Sequence, residues 1–429
     1  MQAGAPGDEA NTSIWGIRPF FQYWTGGFIS STGNWLQNVT ASVVMYELTS
    51  SSLMVGVLQF ANFAPVFALS IVGGVLSDRF DRTRLVMATH VFSFIVAAGL
   101  AWATLSDRVS PVVLIVSVAL LGSSNALSKP TLVALLPSLV PRAVLARASS
   151  LNVLQFNLGQ VIGSTLAAVL ISTVGAGVAF VINAFTFFGP IVAMLLIANH
   201  VVQGERSQGK GFAAAFEGVR YIRSHPRMVA ILGAIVLANS AMEAMRTLAP
   251  GLADSWEGTG PEAAGLLIGA TSAGATTAVL TFGLLARHVA PRRLLLLGFG
   301  LQAIGALGVA MAPGLTTAMV VAFPIGFGFA LLIPLLTAGL QELSTDAFRG
   351  RVMSAFSMAH LGVRPGWALL AGGIATLIST SVAVVAMTVG AIVGMRVIRR
   401  VGANREAGGT VVTETVTGPP PGEGTPRDE

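Results

Sequence analysis

Twelve runs of roughly 20 or more residues, nearly free of charge, set what this chain can become. They fall near 20–45, 53–76, 85–105, 111–137, 148–173, 177–199, 227–252, 263–285, 294–312, 316–341, 352–378 and 380–395. About 20 apolar residues in an α-helix cross the roughly 30 Å hydrocarbon layer of a bilayer. The runs are continuously apolar rather than alternating, so helices are expected and barrel strands are not. Charged residues make up 10% of the 429 and apolar residues 53%, whereas soluble domains carry about 25% charge. The chain is read as an all-α, multi-pass membrane protein of twelve transmembrane helices, with the lipid bilayer as its first partner.

Twelve spans put both termini on one side, and the basic residues say which. Only Arg108 falls on the opposite side, and Lys129, Arg246 and Arg364 lie inside spans. That leaves 21 of the 25 basic residues on the side of the termini, which the positive-inside rule identifies as the cytoplasm. The net charge of +6 does not point to nucleic acid, because the basic residues stand singly or in small groups at span ends. The chain has no cysteine, so disulfides, thiol chemistry and cysteine-ligated metals are excluded. Five scattered histidines show no metal spacing, and no phosphate-binding G-x-x-x-x-G-K-S/T run is present. No cofactor and no enzymatic activity are expected.

The organisation divides in two. Residues 1–199 form a first half of six spans and 227–400 a second. Between them, 200–226 is a cytoplasmic linker. Its Phe212, Ala215, Phe216, Val219 and Ile222 share one face of a basic amphipathic helix, which suits the inner membrane surface. Residues 401–429, rich in Gly, Pro and Thr, read as a disordered cytoplasmic tail. An internal repeat supports the division. Gly74–Leu85 aligns without gaps to Gly283–Leu294, and Arg147-Ala148-Ser149-Ser150 corresponds to Arg351-Val352-Met353-Ser354.

The turn after the second span, Gly74-Val75-Leu76-Ser77-Asp78-Arg79-Phe80-Asp81-Arg82-Thr83-Arg84, concentrates five charges in eleven residues. Its arginines fit the orientation. Its aspartates are not explained by orientation; they pair with arginines or face a helix N-terminus. The stretch resembles motif A of the major facilitator superfamily, G-x-L-x-D-R-x-G-R-K/R, with Gly74, Leu76, Asp78, Arg79 and Arg82 in place and Asp81 where a second glycine usually stands. The D-R-F-D-R form resembles the branch of bacterial siderophore (enterobactin-type) and macrolide exporters. The resemblance covers about residues 18–400. It implies two pseudo-symmetric six-helix halves that rock around a central site, and a gate in which Asp78 faces the N-terminus of helix 11. The second copy has Arg287 and His288 at the positions of Asp78 and Arg79, so one latch is expected rather than two.

Polar residues inside the spans nominate the site. The first span carries Ser30, Asn34, Gln37, Asn38 and Ser42 on one helix face. They face either a cavity or a neighbouring helix. The resemblance puts helices 1, 4, 7 and 10 around the cavity, but Asn34 stands where the branch often has an acid. The seventh span carries Asn239, Glu243 and Arg246 on one face. Glu243 is the only acid well inside a span, which makes it the candidate for proton coupling. Arg246, three residues on, is equally placed to neutralise it. Lys129 in the fourth span suits an anionic group, a pair with Glu243, or a reach toward the cytoplasm. Gly159 and Gly163 in the fifth span resemble the antiporter motif C of the superfamily. Arg364, mid-way along the eleventh span, belongs by resemblance to the interface between halves, paired with carbonyls or Gln160, with substrate contact as the other reading.

These features point to a secondary active exporter of a small organic molecule such as a drug, siderophore or natural product. Proton antiport and a monomeric state are expected. An uncoupled facilitator or importer on the same fold, and a membrane sensor that does not transport, remain as other readings.

Overall fold

The computed structural model describes residues 13–198 and 220–408, without the side chains of 66–68, 70–79, 347 and 401–408. The described residues are helical throughout, with short turns and no strands. Lipid offers the backbone no hydrogen-bond partners, so each segment satisfies its own. The helices are α1 (Arg18–Thr49), α2 (Ser52–Arg79), α3 (Arg82–Leu105), α4 (Pro111–Leu139), α5 (Leu145–Val174), α6 (Ala176–Thr186), α7 (Phe188–Ile197), α8 (Pro226–Asp254), α9 (Ala264–His288), α10 (Pro291–Ala310), α11 (Leu315–Leu343), α12 (Asp346–Ser357), α13 (Arg364–Leu377) and α14 (Thr380–Gly408). Among the described residues, nine helical segments, with α6 and α7 counted together as Ala176–Ile197, are long and apolar enough to cross a membrane. α1 has the length, at 32 residues, but carries the polar stripe of Ser30 to Ser42.

Two expected spans are broken. The sixth is split into α6 and α7 at Phe187. Pro190 explains the break, because a proline ring crowds the carbonyl four residues earlier, that of Thr186. The eleventh is split into α12 and α13 by a π-turn over Met358–Gly362. Pro365 acts there in the same way on Leu361. The tail also begins later than expected, since α14 continues through Gly408 rather than ending near 400. Most of the amphipathic linker helix lies outside the described residues; at its end, Ile222 is buried against Met228 and Val352.

The internal repeat is visible in the helix boundaries. Arg79 and His288 end α2 and α9, Arg82 and Pro291 begin α3 and α10, and each pair lies 209 residues apart. Asp81 caps α3, its carboxylate accepting from the Arg84 amide at 2.8 Å. This satisfies an amide that a helix start otherwise leaves open. The Arg82 guanidinium reaches the Ala134 carbonyl of α4 at 3.4 Å. The side chains of Asp78 and Arg79 lie outside the described residues.

The packing differs at the two ends of the bundle. At the end bearing the α2–α3 turn, each half has its own core: Phe20, Val86, Leu135 and Met194 in one, Met228, Phe299, Leu340 and Val352 in the other. At the opposite end one core joins them, uniting Leu36, Val39 and Ala167 with Ala241, Leu248, Ala264 and Leu267. Glycines allow the close approach. A Cβ on Gly372 would lie 2.5 Å from the Ser52 carbonyl, one on Gly56 2.6 Å from that of Ala368, and one on Gly265 would strike the Ser164 carbonyl. The Leu53 amide donates to Thr376 Oγ1 at 3.1 Å across the same seam. The halves are closed at the end away from the α2–α3 turn.

Candidate functional site

Between the halves lies a cavity of about 420 Å3. Its lining runs from mid-helix toward the α2–α3 end. Tyr23 and Gly27 come from the start of α1, Leu132 and Val133 from the last part of α4, Asn152 and Gln155 from the start of α5, and Ala193 and Met194 from the end of α7. The first half supplies nearly all of the wall. The second half contributes Arg246 from α8 and Arg364 from the first turn of α13.

The deepest chemistry is a cluster of three charges. Arg246 Nη1 and Arg364 Nε both donate to the same oxygen of Glu243, Oε1. Glu243 is fully buried, and its other oxygen has no hydrogen-bond partner. Arg246 lies over the Trp35 ring of α1 at 5.1 Å, and Arg364 over the Phe63 ring of α2 at 4.2 Å. Both guanidiniums therefore reach from the second half to aromatic faces of the first, a favourable arrangement for a desolvated cation. The π-turn before Arg364 sets where its side chain leaves the helix. It also carries His360, which stacks between Phe329 and Phe356 and lies 3.4 Å from the Asn239 amide nitrogen.

The residues nominated from sequence divide by position. Asn34, Gln37, Asn38, Lys129 and Arg246 line the cavity. Gln37 also accepts from Asn183 of α6. Asn38 exchanges hydrogen bonds with Gln59 of α2 at 3.2 and 3.3 Å. Asn34 bonds Ser30 at 3.4 Å, leaving its carbonyl end for the cavity. Lys129 is exposed within the cavity and has no hydrogen-bond or ion-pair partner among the described residues; it does not pair with Glu243.

Three nominations, Asn239, Glu243 and Arg364, are corrected. Asn239 is fully buried and bonds the Ile235 carbonyl within α8, away from the cavity wall. Glu243 is likewise absent from the wall, because the two arginines stand between it and the cavity. Gly159 and Gly163 act as close-packing positions: a Cβ on Gly159 would sit 2.6 Å from Ser31 Oγ, and one on Gly163 would strike the Thr32 carbonyl, so both seat α5 on α1. The seam between halves begins beside them, where Ser164, Thr165 and Ala168 meet Gly265 and Gly269 of α9. Arg364 pairs with Glu243 rather than Gln160, whose amide nitrogen has no partner.

Further wall residues were not nominated. Gln59 and Asn62 in α2, and Asn152 and Gln155 in α5, recur at the three-residue helical step that exposed the α1 stripe. Trp35, Phe63 and Phe156 carried no comparable signal, since aromatic residues in an apolar run read equally well as lipid-facing.

The chain matches the family described as transmembrane secretion effector over residues 15–409. It is 27% identical over 372 residues to the enterobactin exporter EntS of Shigella boydii serotype 18, covering 84% of this chain and 87% of that protein. It is 28% identical over 374 residues to EntS of Citrobacter koseri, with the same coverage. Among solved structures it resembles a bacterial homologue of the human lysosomal transporter Spinster, with a TM-score of 0.69 at 14% identity over 93% of this chain and 98% of that one. It also resembles the POT family transporter PepTSo, with a TM-score of 0.73 at 12% identity over 91% and 98%.

Proposed function

Since the chain belongs to the transmembrane secretion effector family, a branch of the major facilitator superfamily, it is a membrane transporter and not an enzyme, and we propose that it exports a small organic molecule by alternating access. The observation that carries this is the cavity between two halves whose close backbone packing, among the described residues, lies beyond it, on the side away from the α2–α3 turn. The arginine-rich turn and the basic span ends favour the cytoplasm for the open side. The described state is then inward-open, ready to load from the cell interior. Twelve spans follow if α1, α2 and the broken α12–α13 pair join the nine apolar segments, with both termini cytoplasmic. The relatives are enterobactin exporters, which favours a siderophore or similar natural product as cargo. By the motif resemblance Asp78, Arg79 and Arg82 would gate the loading side; Gly74 lies within the last turns of α2, which runs to Arg79, and not in the turn itself as the sequence suggested.

Proton antiport is the driving force we favour for uphill export, with Glu243 as the candidate carrier. A proton taken up on the unpartnered Oε2 of Glu243 would remove the charge that holds both guanidiniums on Oε1, which would tie protonation to movement of α8 against α13. A second reading, export without proton coupling, is favoured by the enclosure of Glu243 behind both arginines and by the non-titratable Asn34 in α1.

Everted membrane vesicles carrying the chain separate these readings. With enterobactin offered outside, uptake above that of vesicles lacking the chain is expected, falling to background when nigericin collapses the pH gradient. Uptake that survives loss of the pH gradient establishes the uncoupled reading. No uptake of enterobactin or of a panel of lipophilic drugs contradicts export.

A further inference from the structure

The charge of the cavity wall names a class of cargo. Lys129, Arg246 and Arg364 face it, and among the described residues lining it none is Asp or Glu. Glu243 is shared by the two arginines through one oxygen. One negative charge thus serves two guanidiniums, while Lys129 has no acceptor among the described residues. Nη2 of Arg364 and Nε of Arg246 are buried donors without partners. Cations inside a bilayer are costly and are normally matched by a counter-charge, and here the protein supplies too little of it. Around them stand flat rings, Trp35 and Phe156 edge to face at 5.8 Å and Phe63 beneath Arg364, together with the amides of Asn62, Asn125 and Asn152.

We propose, resting on the transporter reading above, that this cavity selects a negatively charged aromatic molecule, bound by the free ammonium of Lys129 beside the Arg246 and Arg364 guanidiniums. The rings offer stacking faces, the amides accept or donate to hydroxyl groups, and the anion supplies the missing charge. A cationic or neutral analogue of equal size would leave Lys129 unmatched.

The test measures binding apart from transport. Purified full-length chain in detergent is titrated with three probes that differ in charge on one scaffold: naphthoate, naphthamide and naphthylmethylammonium. The expected result is that naphthoate binds at least about tenfold more tightly than naphthamide, the range of a hydrogen bond to a charged group, and that the ammonium probe binds weakest. Lys129→Gln is expected to erase the preference for the anion and Lys129→Arg to retain it. Equal or tighter binding of the neutral or cationic probe overturns the proposal, as does binding of none of the three, or a preference that Lys129→Gln leaves intact. A chain that binds naphthoate selectively but moves no solute into vesicles would uphold this proposal while defeating the export reading.

Discussion

Glu243→Gln is expected to cause the largest loss of stability of any single substitution in this chain. The fully buried carboxylate neutralises Arg246 and Arg364 through one oxygen. An amide has the same shape and keeps one acceptor oxygen but carries no charge, so two guanidiniums would face each other with no counter-charge beyond the faces of the Trp35 and Phe63 rings. Removing one partner of a buried ion pair costs about 3–5 kcal/mol, because the remaining charge is left uncompensated. Arg364→Met should cost less, since Arg246 and Glu243 remain as a one-to-one pair. Combining it with Glu243→Gln should recover part of the loss. The measurement is thermal unfolding of the purified chain, followed by the fluorescence of its 6 tryptophans, since without cysteine a thiol-reactive dye has no target. An unchanged midpoint in Glu243→Gln would mean that the charge cluster is not what holds α8 to α13.

The second large effect is conformational. Gly265→Leu puts a side chain against the Ser164 carbonyl, with the methyl of Ala168 3.0 Å from its Cβ. A backbone carbonyl inside α5 cannot retreat without distorting the helix, so the seam opposite the α2–α3 turn must open. Overpacking of this kind costs about 1–3 kcal/mol, enough to shift an equilibrium between two closures roughly 5- to 150-fold. Gly283→Leu, on the same helix with nothing within 4 Å, is the control. A single Val133→Cys on the cavity wall reports the shift. Its labelling by a membrane-impermeant maleimide from the α2–α3 side should fall in Gly265→Leu and stay at the parental level in Gly283→Leu. Equal labelling in both would show that this seam does not set the state.

Much of the fold was legible because bilayer physics leaves few choices. The apolar runs gave helices, and the repeat from Gly74 to Gly283 marked helix boundaries 209 residues apart. The breaks at Phe187 and at the π-turn were missed. Hydropathy averages across a proline, although Pro190 and Pro365 were the local signals that could have revealed both. The site was half legible. The polar stripe of α1 does reach the cavity, because a helical period of 3.6 keeps such residues on one face. The three-residue step between Glu243 and Arg246 correctly suggested a pair. What sequence could not give was the second arginine, 121 residues away, and with it the removal of Glu243 from the wall. The aromatic rings under the guanidiniums were equally hidden, since ring–cation contact is a product of tertiary packing. The gate residues Asp78 and Arg79 keep the role that the motif resemblance gives them as a proposal.

If the two halves part and close at opposite ends of one cavity, a reversible staple across the far seam must stop transport. Thr165 and Gly269 face each other across the far seam, a Cβ on Gly269 lying 2.6 Å from Thr165 Oγ1, so the sulfur of a cysteine at 165 would reach a cysteine at 269. Replacing both with cysteine introduces the only two thiols in the chain. The measurement is enterobactin uptake by everted vesicles before oxidation, after it, and after reduction. Uptake is expected to stop when the pair is oxidised and to return when it is reduced, while Val133→Cys in the stapled chain stays open to labelling from the α2–α3 side. Full uptake with the staple in place would show that the seam never opens during transport, and alternating access around this cavity would be wrong.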